Sequence, residues 1–143
     1  MRKMIGMLLC ATVLSACGNN NISSDAQNET PPQTDGSDEP AYRRASTVDA
    51  YQMMQDTDEF ILLDVRRDEE FREAHIEGAV LIPDYEIESR AAAELPDIDA
   101  LILVYCRSGR RSADAANKLV GMGYTNVYDF GGIIDWPYDT VRG

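Results

Sequence analysis

Leu101-Ile102-Leu103-Val104-Tyr105-Cys106-Arg107-Ser108-Gly109-Arg110-Arg111-Ser112 reads as a strand, a loop and the start of a helix. The unbroken apolar run over 101–105 suits a strand buried on both faces, as in a parallel sheet. Cys106 to Arg111 follows as a loop. Ser112 to Met122 then reads as a helix, with Ala113, Ala116, Leu119 and Val120 at helical spacing and Gly123 ending it.

The same texture extends in both directions. Phe60-Ile61-Leu62-Leu63-Asp64-Val65 is a second deeply apolar strand. Before it, Tyr42 to Ala45 forms a short edge strand, and Ser46 or Thr47 can cap a helix reaching about Gln55. After it, Asp68 to Ala74 is helix-prone, with Phe71 as its inward anchor. Ala79 to Ile82 is a short strand stopped by Pro83, and Asp84 to Leu95 can hold a helix. Asn126 to Phe130 is a last strand, and Gly131-Gly132 turns into a short terminal helix around Ile134. Strands alternating with helices predict an α/β fold with a parallel sheet. Ligand sites in such sheets lie beyond the carboxyl ends of the central strands. Here those ends carry Asp64-Val65-Arg66 and Cys106 to Arg111.

A cysteine ending a buried strand is commonly an inert small hydrophobe. Three features set Cys106 apart. Arg107, Arg110 and Arg111 follow within five positions. Gly109 permits backbone angles that turn consecutive N–H groups inward as an anion-binding nest. A helix begins directly afterwards, and its N-terminal dipole favours negative charge. Each stabilises an anionic sulfur placed there. His75 is the single histidine and reads as structural. Asp68-Glu69-Glu70 reads as a solvated helix start, and no Cys/His spacing suggests a metal site. Trp136 reads as core, or as a cap over the final turn.

Cys106-Arg107-Ser108-Gly109-Arg110-Arg111 resembles the active-site loop of the rhodanese family of sulfurtransferases. Asp64-Val65-Arg66 with Glu70-Phe71, His75-Ile76-Glu77-Gly78-Ala79 and Gly131-Gly132 to Trp136 resemble further family elements, in family order. Glu77 stands where proline is usual and Leu81 where asparagine is common; both lie away from the cysteine loop. The resemblance implies a three-layer α/β/α domain over 42–143, with a five-stranded parallel sheet of order 1-5-4-2-3. It also implies a sulfane sulfur carried on Cys106 from a small anionic donor such as thiosulfate to a thiol or cyanide, with no cofactor. Arg107, Ser108, Gly109, Arg110, Arg111 and Arg66 are the expected substrate contacts, with Asp64 supporting the site. Arg107 and Arg110 are favoured for the donor anion. Arg111 can instead pair with an acid such as Asp64, and Arg66 can be a structural ion pair. Two alternatives share the fold: a persulfide carrier or binding module without turnover, and a phosphatase. Phosphatase loops place five residues between Cys and Arg, whereas four separate Cys106 from Arg111.

Composition bounds the rest. The 143 residues carry 13 Lys+Arg and 25 Asp+Glu, a net charge of −12. That balance argues against nucleic-acid binding. Met1-Arg2-Lys3, the apolar run from Met4 to Val13 and Leu14-Ser15-Ala16-Cys17 resemble a bacterial lipoprotein signal peptide over 1–17. The resemblance implies removal of Cys10 with the peptide, lipidation of Cys17 and an extracytoplasmic, membrane-anchored protein with Cys106 as its one free thiol. Residues 18–41 are polar, with five acids and no bases, and read as a disordered tether. A monomer is expected.

Overall fold

The structure, a computed structural model, describes residues 42–143. The expected signal peptide, Cys10, the lipidated Cys17 and the tether lie outside the described residues.

Ten elements follow one another: β1 (Arg43–Arg44), α1 (Thr47–Asp56), β2 (Phe60–Asp64), α2 (Asp68–Glu73), β3 (Val80–Leu81), α3 (Ile87–Glu94), β4 (Leu101–Cys106), α4 (Arg110–Gly121), β5 (Val127–Gly132) and a 3-10 turn (Ile133–Asp135). The strands form one sheet in the order β1-β5-β4-β2-β3, with every pairing parallel. The two most apolar strands, β2 and β4, lie side by side, with Phe60 opposite Leu101 and Asp64 opposite Tyr105.

Alternation along these strands builds two cores. Leu63, Val65, Ile102, Val104, Cys106 and Val127 pack with residues of α3 and α4. Leu62, Leu103, Tyr105 and Phe130 pack on the other face with Ala50 of α1 and with Trp136. Both faces of the central strands are thus covered, which is why their sequences show no polar alternation.

Helix starts follow local capping chemistry. Ser46 caps α1: its hydroxyl accepts the Asp49 N–H at 3.1 Å, and the Asp49 carboxylate accepts the Ser46 N–H at 3.3 Å. Two of the boundaries that differ from the sequence reading flank the cysteine. α4 begins at Arg110, not Ser112, so Arg110 and Arg111 belong to its first turn. β5 runs through Gly132, so the two glycines extend the strand. Its pairing with β4 slips between Val104 opposite Asp129 and Cys106 opposite Gly132. Gly131 takes up the irregularity with φ near +90°. α3 starts at Ile87, three residues later than expected, because the chain after Pro83 is still tied to β2: the Asp84 N–H donates to the Val65 carbonyl at 3.0 Å.

Candidate active site

Cys106 is the last residue of β4 and is 1% exposed. The chain then turns through Arg107, Ser108 and Gly109. Gly109 has φ near +100°, a left-handed conformation that L side chains rarely adopt. That turn aims the Gly109 N–H back at the cysteine, where it donates to Sγ at 3.1 Å. The twelve-residue α4 starts at the next residue and directs the positive end of its dipole toward the same turn.

The loop is held from behind by residues to which the sequence reading gave no supporting role. Ser112 is fully buried, and its hydroxyl lies 3.0 Å from the Gly109 carbonyl and 3.2 Å from the Gly131 carbonyl. It joins the loop to β5. Gly132 lets the two approach. A Cβ there would collide with the Arg107 carbonyl and lie 2.7 Å from Ser108 Cα. Asp129 fixes the preceding turn by accepting the Gly131 N–H at 3.0 Å. The glycine pair was legible as a turn, but its steric role required knowing which loop β5 would face.

The arginines divide into two groups. Arg66 is 5% exposed and grips Asp64, with Nη2 to Oδ2 at 2.6 Å; the same nitrogen donates to the Ala74 carbonyl at 2.7 Å. Its Nε and Nη2 are engaged in this buried pair, which is the structural ion pair expected as one of its two roles. Asp64 also accepts the Arg66 N–H at 2.9 Å. Arg111 does turn back to an acid, but that acid is Glu70 and not Asp64: two parallel hydrogen bonds of 2.8 Å join them. The Arg111 guanidinium holds the Glu70 carboxyl down at about 2, against the opposing effect of burial. Arg111 therefore clamps α4 to α2. Arg107 makes no side-chain hydrogen bond or ion pair among the described residues. Arg110 is 83% exposed and meets Asp114 only at 3.9 Å. These two remain available to a solute.

Tyr105 and His75 complete the support. The Tyr105 hydroxyl accepts the Ile76 N–H at 3.2 Å, and burial, aided by the Asp64 charge, pushes its pKa up. The His75 ring stacks on Phe71, and its Nδ1–H donates to the Phe71 carbonyl at 2.9 Å. His75 thus packs against Phe71. No cluster of three or more potential metal ligands occurs among the described residues.

A thiol at the end of a central strand, facing the Gly109 N–H and followed at once by the start of a helix, can act as a nucleophile and hold the anion it generates. The sequence pattern of the rhodanese-like domain matches residues 46–137, which span every element from α1 to the final turn. The chain belongs to the rhodanese family. Thiosulfate sulfurtransferase PspE of Escherichia coli (strain K12) is 40% identical over 81 residues, covering 57% of this chain and 78% of that protein. Thiosulfate sulfurtransferase GlpE of Pseudomonas savastanoi pv. phaseolicola is 35% identical over 88 residues, covering 58% and 81%. A solved rhodanese with anions from E. coli superposes with a TM-score of 0.55 at 38% identity, covering 58% of this chain and 98% of that one. The rhodanese domain described here is a sulfurtransferase of this type.

Proposed function

We propose that Cys106 attacks the outer sulfur of thiosulfate. The Sγ–S bond forms as the S–S bond of the donor breaks, and sulfite leaves with the bonding pair. The sulfur remains on Cys106 as a persulfide under the loop N–H groups. A thiol or cyanide then removes it, returning the thiolate. The observation that carries this reading is the Gly109 N–H donated to Sγ at 3.1 Å inside a left-handed turn. Arg107 and Arg110 supply the cationic rim for the donor. The names of the two relatives support thiosulfate as the donor.

Intact mass after incubation with thiosulfate tests the first step. The expected result is a gain of one sulfur atom that cyanide removes, with thiocyanate released in step, and no gain in Cys106→Ser. An unchanged mass in the wild type overturns the reading.

We also propose that the protein works as a monomer, tethered by lipid on Cys17 outside the cytoplasm. Labelling with a fatty-acid analogue in a bacterial host should mark the wild type and spare Cys17→Ala. Equal labelling of both rejects the anchor.

A further inference from the structure

Arg111 stands in the first turn of α4, just beyond the left-handed turn that follows Cys106. By its place in the chain it is a third cation for the cysteine loop, after Arg107 and Arg110. Its two parallel 2.8 Å hydrogen bonds to Glu70 occupy both terminal nitrogens of the fork. These bonds hold the guanidinium in its charged form, and the Cys106 and Asp84 charges act on it in the same sense at longer range. Arg111 is therefore within electrostatic reach of the sulfur, and Glu70 offsets its charge there. The carboxylate is fixed by its own helix start as well, since the Arg67 N–H donates to Oε2 at 3.2 Å. Its neighbours Asp68 and Glu69 are exposed and join no ion pair among the described residues.

Thiosulfate and sulfate are both tetrahedral dianions and differ in one atom. A cation beside the site attracts them alike; only attack on the outer sulfur tells them apart. Binding that is equal in the ground state and the transition state lowers KM without raising kcat. At this site such binding also admits sulfate and phosphate as inhibitors. An uncompensated Arg111 would supply it.

We propose that Glu70 is a specificity-determining residue: it neutralises Arg111, so that the cysteine loop holds oxyanions weakly and the selection of thiosulfate is left to the sulfur chemistry. Glu70 touches no reacting atom and acts through Arg111. The proposal rests on the thiosulfate reading above.

The test compares purified wild type, Glu70→Gln and Glu69→Gln with thiosulfate varied at saturating cyanide. Sodium sulfate is the inhibitor, and ionic strength is held constant. Glu70→Gln should lower the KM for thiosulfate about threefold or more, leave kcat within about twofold, and lower the sulfate inhibition constant by the same factor as KM. Glu69→Gln removes the same net charge next door and should change each by less than about 1.5-fold. Adding Arg111→Gln to Glu70→Gln should abolish the gain in affinity. Circular dichroism at the assay temperature checks that each variant is folded. Glu70→Ala removes the charge without leaving an amide and should move KM in the same direction. An unchanged or higher KM in folded Glu70→Gln or Glu70→Ala, or an equal fall in Glu69→Gln, overturns the proposal, while thiocyanate release by the wild type leaves the sulfurtransferase reading standing. Failure of the wild type to release thiocyanate would sink both.

Discussion

At the residue scale, two glycines with different surroundings separate steric need from backbone strain. Gly132 has ordinary extended angles, but a Cβ there would strike backbone atoms of Arg107 and Ser108. Backbone cannot rotate out of the way, so the cysteine loop itself must shift. Gly132→Ala should cost about 2 kcal/mol or more and remove most of the sulfurtransferase activity. Gly78 has φ near +82° with nothing within 4 Å of the added carbon. Gly78→Ala should cost only about 1 kcal/mol of left-handed strain and leave the activity intact. Urea midpoints and thiocyanate rates for the two variants test the contrast. Comparable activity losses in both would mean that the approach of Gly132 to the loop is unimportant.

At the scale of elements, the Glu70–Arg111 pair joins two helices that share no sequence neighbourhood. Glu70 releases its proton near pH 2 in the folded protein and near its ordinary value of 4.5 once unfolded. As pH falls, the unfolded chain takes up the proton first. The stabilisation is therefore complete above about pH 4.5 and is lost between there and about pH 2. With about a fifth of each side chain exposed, solvent screening keeps the contribution on the order of 1–2 kcal/mol. Glu70→Gln should lower the urea midpoint at about pH 6, and its deficit should shrink by about pH 3. A deficit that stays constant between those two pH values would show that the carboxylate charge is not what matters. This pair also marks how far the sequence could be read. Unbroken apolar runs in β2 and β4 announced central strands, and the arginines after Cys106 announced an anion site, because those signals are local. Which acid Arg111 would choose was not local. Asp64 stood at the right strand end but was already taken by Arg66, two residues away and buried with it. The start of α4 at Arg110 was hidden for a similar reason: its first turn is stabilised by Ser112 reaching Gly131 across the sheet. Order of the strands followed from the family resemblance, since apolarity alone places β2 and β4 centrally without ranking the edges.

For the molecule as a whole, electrostatics sets two ranges against each other. Residues 42–143 carry 11 basic and 20 acidic side chains, a formal charge of −9. Thiosulfate is a dianion, and over distances beyond contact it meets this net negative field. Pairing deepens the effect at the site, because Arg66 and Arg111 are neutralised by Asp64 and Glu70, and Asp68 and Glu69 stand beside Glu70 at the start of α2. Within contact range the balance reverses, since Arg107 and Arg110 flank the turn and the Gly109 N–H faces the sulfur. Salt separates the two ranges: at about 0.1 M the screening length is roughly 10 Å, long enough to leave loop contacts largely intact while erasing the outer field. Raising potassium chloride from about 10 to about 200 mM should therefore lower the KM for thiosulfate. If thiosulfate KM instead rises steeply with salt, the rim arginines govern donor capture at every range, and the acidic remainder of the domain plays no part in it.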